Sequence, residues 1–168
     1  MNAALDRLAA QMHLDDTRHE ALRLAFAHAC VARVRHLLEQ PEVDACLAVL
    51  ECFVQGQAGR DELTLAATRA AALANAHGGS KSIDGCGHAA VSASYAVARA
   101  TAGRALDAAS YAAYAAVYAQ GGYAAVADRD AFAVEHAWQV AALQTLSAQH
   151  AAQDKAQHAA QHAAHVDS

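Results

Sequence analysis

Hydrophobic residues recur at helical spacing along most of the chain. Apolar positions three and four residues apart mark one face of an amphipathic helix. The clearest stripe follows Thr17, a predicted N-cap with Glu20 as its capping-box partner, and it ends before Pro41. Weaker or shorter stripes predict an opening helix within 1–16 and further helices over 42–55, 61–77, 88–102, 105–120 and 128–147. The pattern therefore predicts an all-α fold, an alanine-rich helical bundle or short array of about six helices.

Three regions differ in composition along the chain. Residues 1–16 form an N-terminal segment with a weak helical pattern, and residues 17–148 hold the well-marked helices of a single domain. Within that domain the one clear loop in the sequence is the glycine-rich stretch 78–87. From 149 to 168 the sequence turns polar and histidine-rich, with Val166 as its only large apolar residue, so we expect a fraying helix or a tail outside the core.

Alanine accounts for 50 of the 168 residues, which changes how a core is expected to form. Alanine is the best helix former, whereas proline and β-branched residues are scarce here, so an extended sheet is excluded. Because an alanine side chain buries little area, the helix axes must approach closely for the core to be stable. Tyr95, Tyr111, Tyr114 and Tyr118 are predicted to fill the wider gaps of that core.

Charge and cysteine content remove several classes of function. The chain has 12 Lys and Arg against 17 Asp and Glu, a net charge of −5, and no basic run, so no nucleic-acid partner is expected. The uncharged stretch 108–127 is mostly Ala, Tyr and Ser, which predicts a buried helix and no association with a membrane. An N-terminus without an apolar leader and four cysteines without a CxxC motif predict a cytoplasmic protein with reduced, core-filling thiols.

Histidines in the C-terminal segment are one candidate for metal chemistry. His150, His158, His162 and His165 fall on one face of a helix, at spacings that can chelate a transition metal. The alternative is a solvated tail that binds nickel or zinc weakly without function, since this segment supplies no second shell. We therefore predict no functional metal site and no cofactor.

A second candidate lies at the glycine-rich loop, where His77 precedes the loop and Cys86 and His88 stand at its end. Cysteine and histidine near one loop suit metal ligands, or a nucleophile and its base. No HExxH motif, ExxH pair or further carboxylate at ligand spacing accompanies them, so packing of His88 at a helix start is the competing interpretation. If these residues carry function, the protein is a small-ligand or transition-metal-binding helical protein, with or without catalysis.

The order of segments also resembles a known family. An alanine-rich helix over 17–39 is followed by a proline and a short helix over 41–59, then by a helix that ends in His77. The positions that carry most of the resemblance are Gly87 and His88 at a helix start, and Trp138 and Gln139 in the last helix. Over residues 17–147 the chain resembles the immunity proteins of bacterial toxin–immunity systems, specifically the immunity-five-like, alanine-rich helical family.

This resemblance implies a non-enzymatic protein that binds one cognate toxin and needs no catalytic residues of its own. Tight protein–protein binding depends on a central anchor of aromatic or arginine residues and on complementary charge at the rim. Acids near helix starts also suit the helix dipole, which is the competing interpretation of the candidate partner-binding residues Asp61, Glu62, Asp128, Asp130 and Glu135. A third interpretation is a homo-oligomer with a structural role, built on the smooth alanine and tyrosine faces.

Overall fold

Helices account for most of the described backbone, as the alanine content predicts. The computed structural model describes residues 2–77 and 86–166, with the backbone alone for residues 86, 157–158 and 162–166. Three short 3-10 turns accompany the α-helices, at Thr17–His19, Arg35–Leu37 and Asp130–Phe132. The α-helices are α1 (Ala3–Gln11), α2 (Glu20–Ala32), α3 (Pro41–Val54), α4 (Arg60–Ala76), α5 (Cys86–Thr101), α6 (Ala105–Ala125) and α7 (Ala133–Val166). The described part contains no strand, so the predicted all-α class is confirmed.

Three helices end in a left-handed residue. His13 follows α1 with a φ of 50°, Gly56 follows α3 with a φ of 74°, and Gly103 follows α5 with a φ of 72°. At each end the backbone bonds of a Schellman motif form; after α3, for example, the Gln57 N–H donates to the Cys52 carbonyl at 2.7 Å. The helix ends predicted at Gly56 and Gly103 are therefore confirmed.

The helix predicted to begin at Thr17 is shorter than expected. A 3-10 turn comes first, and regular α-helix extends only over Glu20–Ala32. The capping residue is Asp16, whose side chain accepts the N–H of Arg18 at 3.1 Å, so the prediction of a Thr17 cap is wrong. Thr17 is already the first residue of the 3-10 turn, so the N-cap of that turn is the residue before it, Asp16.

The last helix begins later in the chain than predicted. It begins at Ala133 instead of residue 128, because a 3-10 turn precedes it, and it continues without a break to Val166. The segment from residue 149, predicted as a fraying helix or a tail, is thus helical over its described part. Its described side chains are exposed at 151–156 and 159–161, whereas His150 is half-buried.

The core forms around α2, which contacts α3, α5, α6 and α7. Helices α3 to α6 pack against one another in chain order, so each forms an antiparallel hairpin with the next. Most of the largest side chains buried here come from the first half of the chain and from α7, and they include Phe26, Val31, Val43, Leu47, Leu50 and Leu143. The part of the core that α5 and α6 contribute, in the second half of the chain, is built mainly from alanine.

Close approach of α5 and α6 replaces large side chains in that half. The buried alanines of these two helices include Ala93, Ala96, Ala100, Ala105, Ala108, Ala109 and Ala112. Small residues at every third or fourth position let two backbones come into van der Waals contact. At the edge of this contact the rings of Tyr95 and Tyr111 stack with centroids 5.3 Å apart, as expected for tyrosines that fill gaps.

The N-terminal segment packs onto the same core. Helix α1 contacts α7, and its Leu5 and Ala9, with Leu14 after it, are buried. Asn2 caps α1 by accepting the N–H of Leu5, and its amide donates to the carbonyl of His136 at 2.9 Å. The segment 1–16, which the sequence pattern sets apart from residues 17–148, thus shares one core with them. Across the described residues, no helix is both long enough and apolar enough to cross a bilayer.

Candidate partner-binding surface

A continuous group of aromatic side chains lies where the start of α5, the end of α6 and the start of α7 meet. The group, here called the aromatic cluster, consists of His88, Tyr114, Tyr118, Tyr123, Phe132 and His136. The His88 ring stacks on Tyr118 at 5.2 Å, and Tyr114 meets Phe132 edge to face at 5.1 Å. These are favourable separations for aromatic pairs, so the rings form one connected patch.

Two consecutive glycines produce this patch. Helix α6 is interrupted at Gly122, whose φ of 66° and ψ of −164° belong to a region that only glycine enters readily. Beyond the kink at this point, the ring of Tyr123 lies against His88, with centroids 5.2 Å apart. A Cβ on the preceding Gly121 would lie 2.5 Å from the Cβ of Ala125, so that position also requires glycine. The predicted helix end at these glycines is therefore a turn that builds the site.

Part of the aromatic cluster is open to solvent. Tyr114 is 37% exposed and Tyr123 is 59% exposed, although both are large rings in an alanine-rich protein. Burial, with smaller effects from Tyr123 and Tyr114, raises the pKa of Tyr118, so its phenol keeps its proton at neutral pH. Tyr95 and Tyr111 fill the core edge as predicted, whereas Tyr114 and Tyr118 belong to the surface patch.

A pocket of about 480 Å³ opens beside the aromatic cluster. The loop between α6 and α7 forms its outer wall. The lining residues are Tyr114, Val126, Ala127, Arg129, Phe132 and His136. Burial, reinforced by the N-terminal amine and opposed by Glu135 and Asp6, lowers the pKa of His136, which favours the neutral ring.

Two of the predicted partner-binding acids stand on that same loop. Asp128 and Asp130 are exposed and flank Arg129 in the chain. The Asp128 carboxylate accepts the N–H of Asp130 at 2.9 Å, which fixes the turn that leads into α7. The structure thus brings these two acids next to the aromatic pocket, a juxtaposition that sequence spacing alone does not reveal.

Glu135, the third acid predicted in this region, lies inside the bundle. Its side chain is 7% exposed and forms a bidentate ion pair with Arg33 at the end of α2, with a shortest contact of 2.8 Å. The Arg33 guanidinium in turn lies 4.2 Å from the ring centroid of Trp138. Because its charge is already neutralised in this way, Glu135 holds α7 against α2 and is not part of the exposed rim.

The remaining predicted acids lie at another end of the molecule. Glu62 accepts the N–H of Gly59 at 2.7 Å and so caps α4, while Asp61 is exposed in the same first turn. Their neighbour Arg60 lines a pocket with Gly103, just before α6 begins. Tyr114 and Tyr118 of the aromatic cluster lie about 14 and 20 Å along α6 from its start at Ala105, so the two acidic groups do not form one surface.

The positions singled out by the family resemblance have structural roles in α5 and α7. Gln139 is buried; its amide donates to the carbonyl of Ala109 at 2.8 Å and accepts from Asn2 at 3.1 Å. It therefore ties α7 to α6 and α1. Gly87 and His88 lie in the first turn of α5, where the His88 ring enters the aromatic cluster. His88 therefore packs at a helix start, as one of the two interpretations of this residue predicted.

The residues considered for metal binding are not gathered by the described structure. His77 is half-buried at the end of α4, and His150 is half-buried against α2 and α3. Among the described residues, no three His, Cys, Asp or Glu side chains are arranged to hold a metal ion. The side chains of Cys86, His158, His162 and His165, and the loop residues 78–85, lie outside the described residues.

The other three cysteines behave as core thiols. Cys30 and Cys46 are buried and Cys52 is half-buried, and none of the three is in a disulfide. Burial raises the pKa of the Cys30 and Cys46 thiols, which keeps them protonated and unreactive.

Compared with protein-family models, with curated proteins and with solved structures, the chain matches none.

Proposed function

We propose that this protein is a non-enzymatic, cytoplasmic binding protein that neutralises a cognate bacterial toxin by direct contact, as its family resemblance implies. The single observation that supports the proposal best is the exposed aromatic cluster beside an acidic loop. Tyrosine and arginine are enriched among residues that dominate binding energy, and charged groups at the rim contribute specificity and association rate. The candidate anchors that dominate binding energy are Tyr114, Tyr123 and Arg129. The candidate charges at the rim are Asp128 and Asp130.

A folded, preorganised patch suits this role. The aromatic cluster is held from three helices, and the neighbouring α7 is fixed by the Glu135–Arg33 pair and by Gln139. Less side-chain entropy is lost on association when the anchoring rings are already ordered. In this proposal the protein acts by covering or locking its partner and supplies no catalytic group.

Co-expression with the toxic domain encoded nearest to its gene tests the proposal. We expect the cells to survive and the two proteins to purify as a stable one-to-one complex. We expect Tyr123→Ala and Tyr114→Ala each to weaken the complex by roughly tenfold or more, as truncation of a central aromatic anchor does. Leu65→Ala is the matched control, because Leu65 is a large apolar residue that is 71% exposed on α4.

Two results would contradict different parts of the proposal: the first its toxin-binding role, the second its contact surface. Death of the cells with no complex recovered would remove the toxin-binding role. A stable complex that tolerates both tyrosine variants but is lost with Leu65→Ala would keep the role and move the contact surface to α4.

A further inference from the structure

An apolar groove lies between α3 and α4 and shares no lining residue with the aromatic cluster. Its volume is about 250 Å³. Five of the residues that line it are apolar: Ala45, Cys46, Val49, Leu65 and Ala66. The Leu65 side chain is 71% exposed, although α4 packs against both α3 and α5. A large apolar side chain at the edge of an open apolar groove gains free energy when another surface covers it.

The other two residues that line the groove carry opposite charges on either side of Leu65. Glu62 precedes Leu65 by three positions and Arg69 follows it by four, so the three side chains share one face of α4. Among the side chains that the structure describes, neither Glu62 nor Arg69 is part of an ion pair. One Glu62 oxygen accepts the N–H of Gly59, which leaves the other oxygen able to accept bonds.

This order of charge, leucine and opposite charge is complementary to itself. When two copies of a helix pack antiparallel about a two-fold axis, positions equally far from the axis face each other. An axis between Leu65 and Ala66 has Glu62 on one side and Arg69 at the same separation on the other. Glu62 of each copy therefore faces Arg69 of the other copy, and one pair of residues supplies two ion pairs.

We propose that two copies of this chain associate through α4, with Leu65 of each copy over the apolar groove of the other and a Glu62–Arg69 ion pair at each end. The contact uses one helix and one groove from each copy, so its area lies at the low end of specific interfaces. A dissociation constant of about 1–100 µM is the corresponding expectation. This association does not depend on the proposed function, and it uses no residue of the aromatic cluster.

Sedimentation velocity of the full chain over about 1–300 µM measures the association. We expect the mass to rise with concentration from that of one 17.4 kDa chain towards that of two. Leu65→Ala should weaken the dimer by about tenfold or more. Val134→Ala is the matched control, because Val134 is a large apolar residue that is 79% exposed on α7.

Charge reversal tests the two-fold arrangement itself. Arg69→Glu sets two carboxylates opposite each other and Glu62→Lys sets two cations opposite each other, so each variant alone should dimerise at least about tenfold more weakly. In an equimolar mixture of the two variants, every position again faces the opposite charge. We therefore expect the mixture to form a heterodimer although neither variant dimerises by itself.

Three results would overturn this inference: a mass that stays at one chain across the whole concentration range, a dimer that Leu65→Ala does not weaken, or a mixture that does not recover association. Glu62 also caps α4, so circular dichroism of the Glu62→Lys variant checks that its helices form. If they do not, Arg69→Glu and Leu65→Asp decide: loss of the dimer in both supports the contact, and a dimer retained in either contradicts it.

Discussion

Single polar side chains inside the bundle decide how the last helix is held. Glu135 and Gln139 lie one helical turn apart on α7 and reach α2, α6 and α1 through their hydrogen bonds. Trp138, between them, packs under the Arg33 guanidinium. A buried carboxylate of this kind is tolerated only because its charge and its oxygen lone pairs are satisfied.

Loss of the Glu135 charge should destabilise the protein measurably. Glu135→Gln retains the shape of the side chain but removes the charge that faces Arg33, and we expect a loss of about 1–2 kcal/mol in the free energy of unfolding. The expected loss is smaller than for a fully buried charged pair, because the Arg33 side chain is 37% exposed. Water can therefore partly replace the Glu135 carboxylate as the partner of Arg33. Urea unfolding followed by Trp138 fluorescence measures the change.

An exposed ion pair provides the matched control. Asp107→Asn breaks the pair between Arg104 and Asp107, whose contact is 2.6 Å but whose side chains are 56% and 44% exposed. Its cost should stay below about 0.5 kcal/mol. Equal losses in the two variants would show that the burial of Glu135 does not strengthen its pairing.

Among the elements, the end of α6 contributes most to the candidate site. The unusual backbone at Gly122 kinks the helix, and Tyr123, just after the kink, contacts His88. A side chain on residue 122 would meet its own backbone in that conformation, and relief of the strain would move Tyr123 out of the aromatic cluster. The turn, more than the helix itself, therefore determines the shape of the surface.

Gly122→Ala tests this dependence. We expect a loss of about 1–3 kcal/mol in stability, together with a reduced near-UV circular dichroism signal from the tyrosines. Gly59→Ala is the control, because Gly59 has a φ of −89° that alanine adopts freely and its Cβ would lie an ordinary 3.6 Å from Glu62. A Gly122→Ala protein as stable as the Gly59→Ala control, with unchanged tyrosine signals, would show that the glycine is dispensable.

The elements themselves were within reach of sequence reasoning, whereas the site was not. Helix formation follows from alanine content, and the glycines at positions 56, 103 and 121–122 marked real turns because a left-handed or strained residue is needed there. The aromatic cluster depends on which helix ends meet in space. Alanine faces do not specify their partners, so no spacing in the sequence placed His88 beside Tyr118 or showed that Glu135 faces Arg33.

For the molecule as a whole, partly buried histidines link stability to pH. Burial, opposed by Glu51 and reinforced by Arg35, lowers the pKa of His28 below its usual value of 6.5, and burial likewise lowers the pKa of His136. A histidine with a depressed folded-state pKa binds fewer protons folded than unfolded, so stability is complete above pH 6.5 and falls as acid charges the unfolded chain. The melting temperature should therefore fall between about pH 7 and pH 5.

Substitution of these histidines checks the sign. His28→Gln removes one titrating group from the partly buried set, so the melting temperature of this variant should change less steeply with pH than that of the parent. The control is His13→Gln, which replaces an exposed histidine. A melting temperature that rises on acidification, or a slope that His28→Gln leaves unchanged, would contradict the assignment.

The alanine-built contact between α5 and α6 has a consequence for how the protein responds to temperature. The heat capacity of unfolding increases with the apolar surface that becomes hydrated, and an alanine contributes far less of that surface than a leucine. Alanine also loses no rotamer freedom when it is ordered, so less entropy opposes folding in this half of the molecule. The stability curve of such a protein is broad and shallow, and its fold is retained over a wider span of temperatures than its modest core volume suggests.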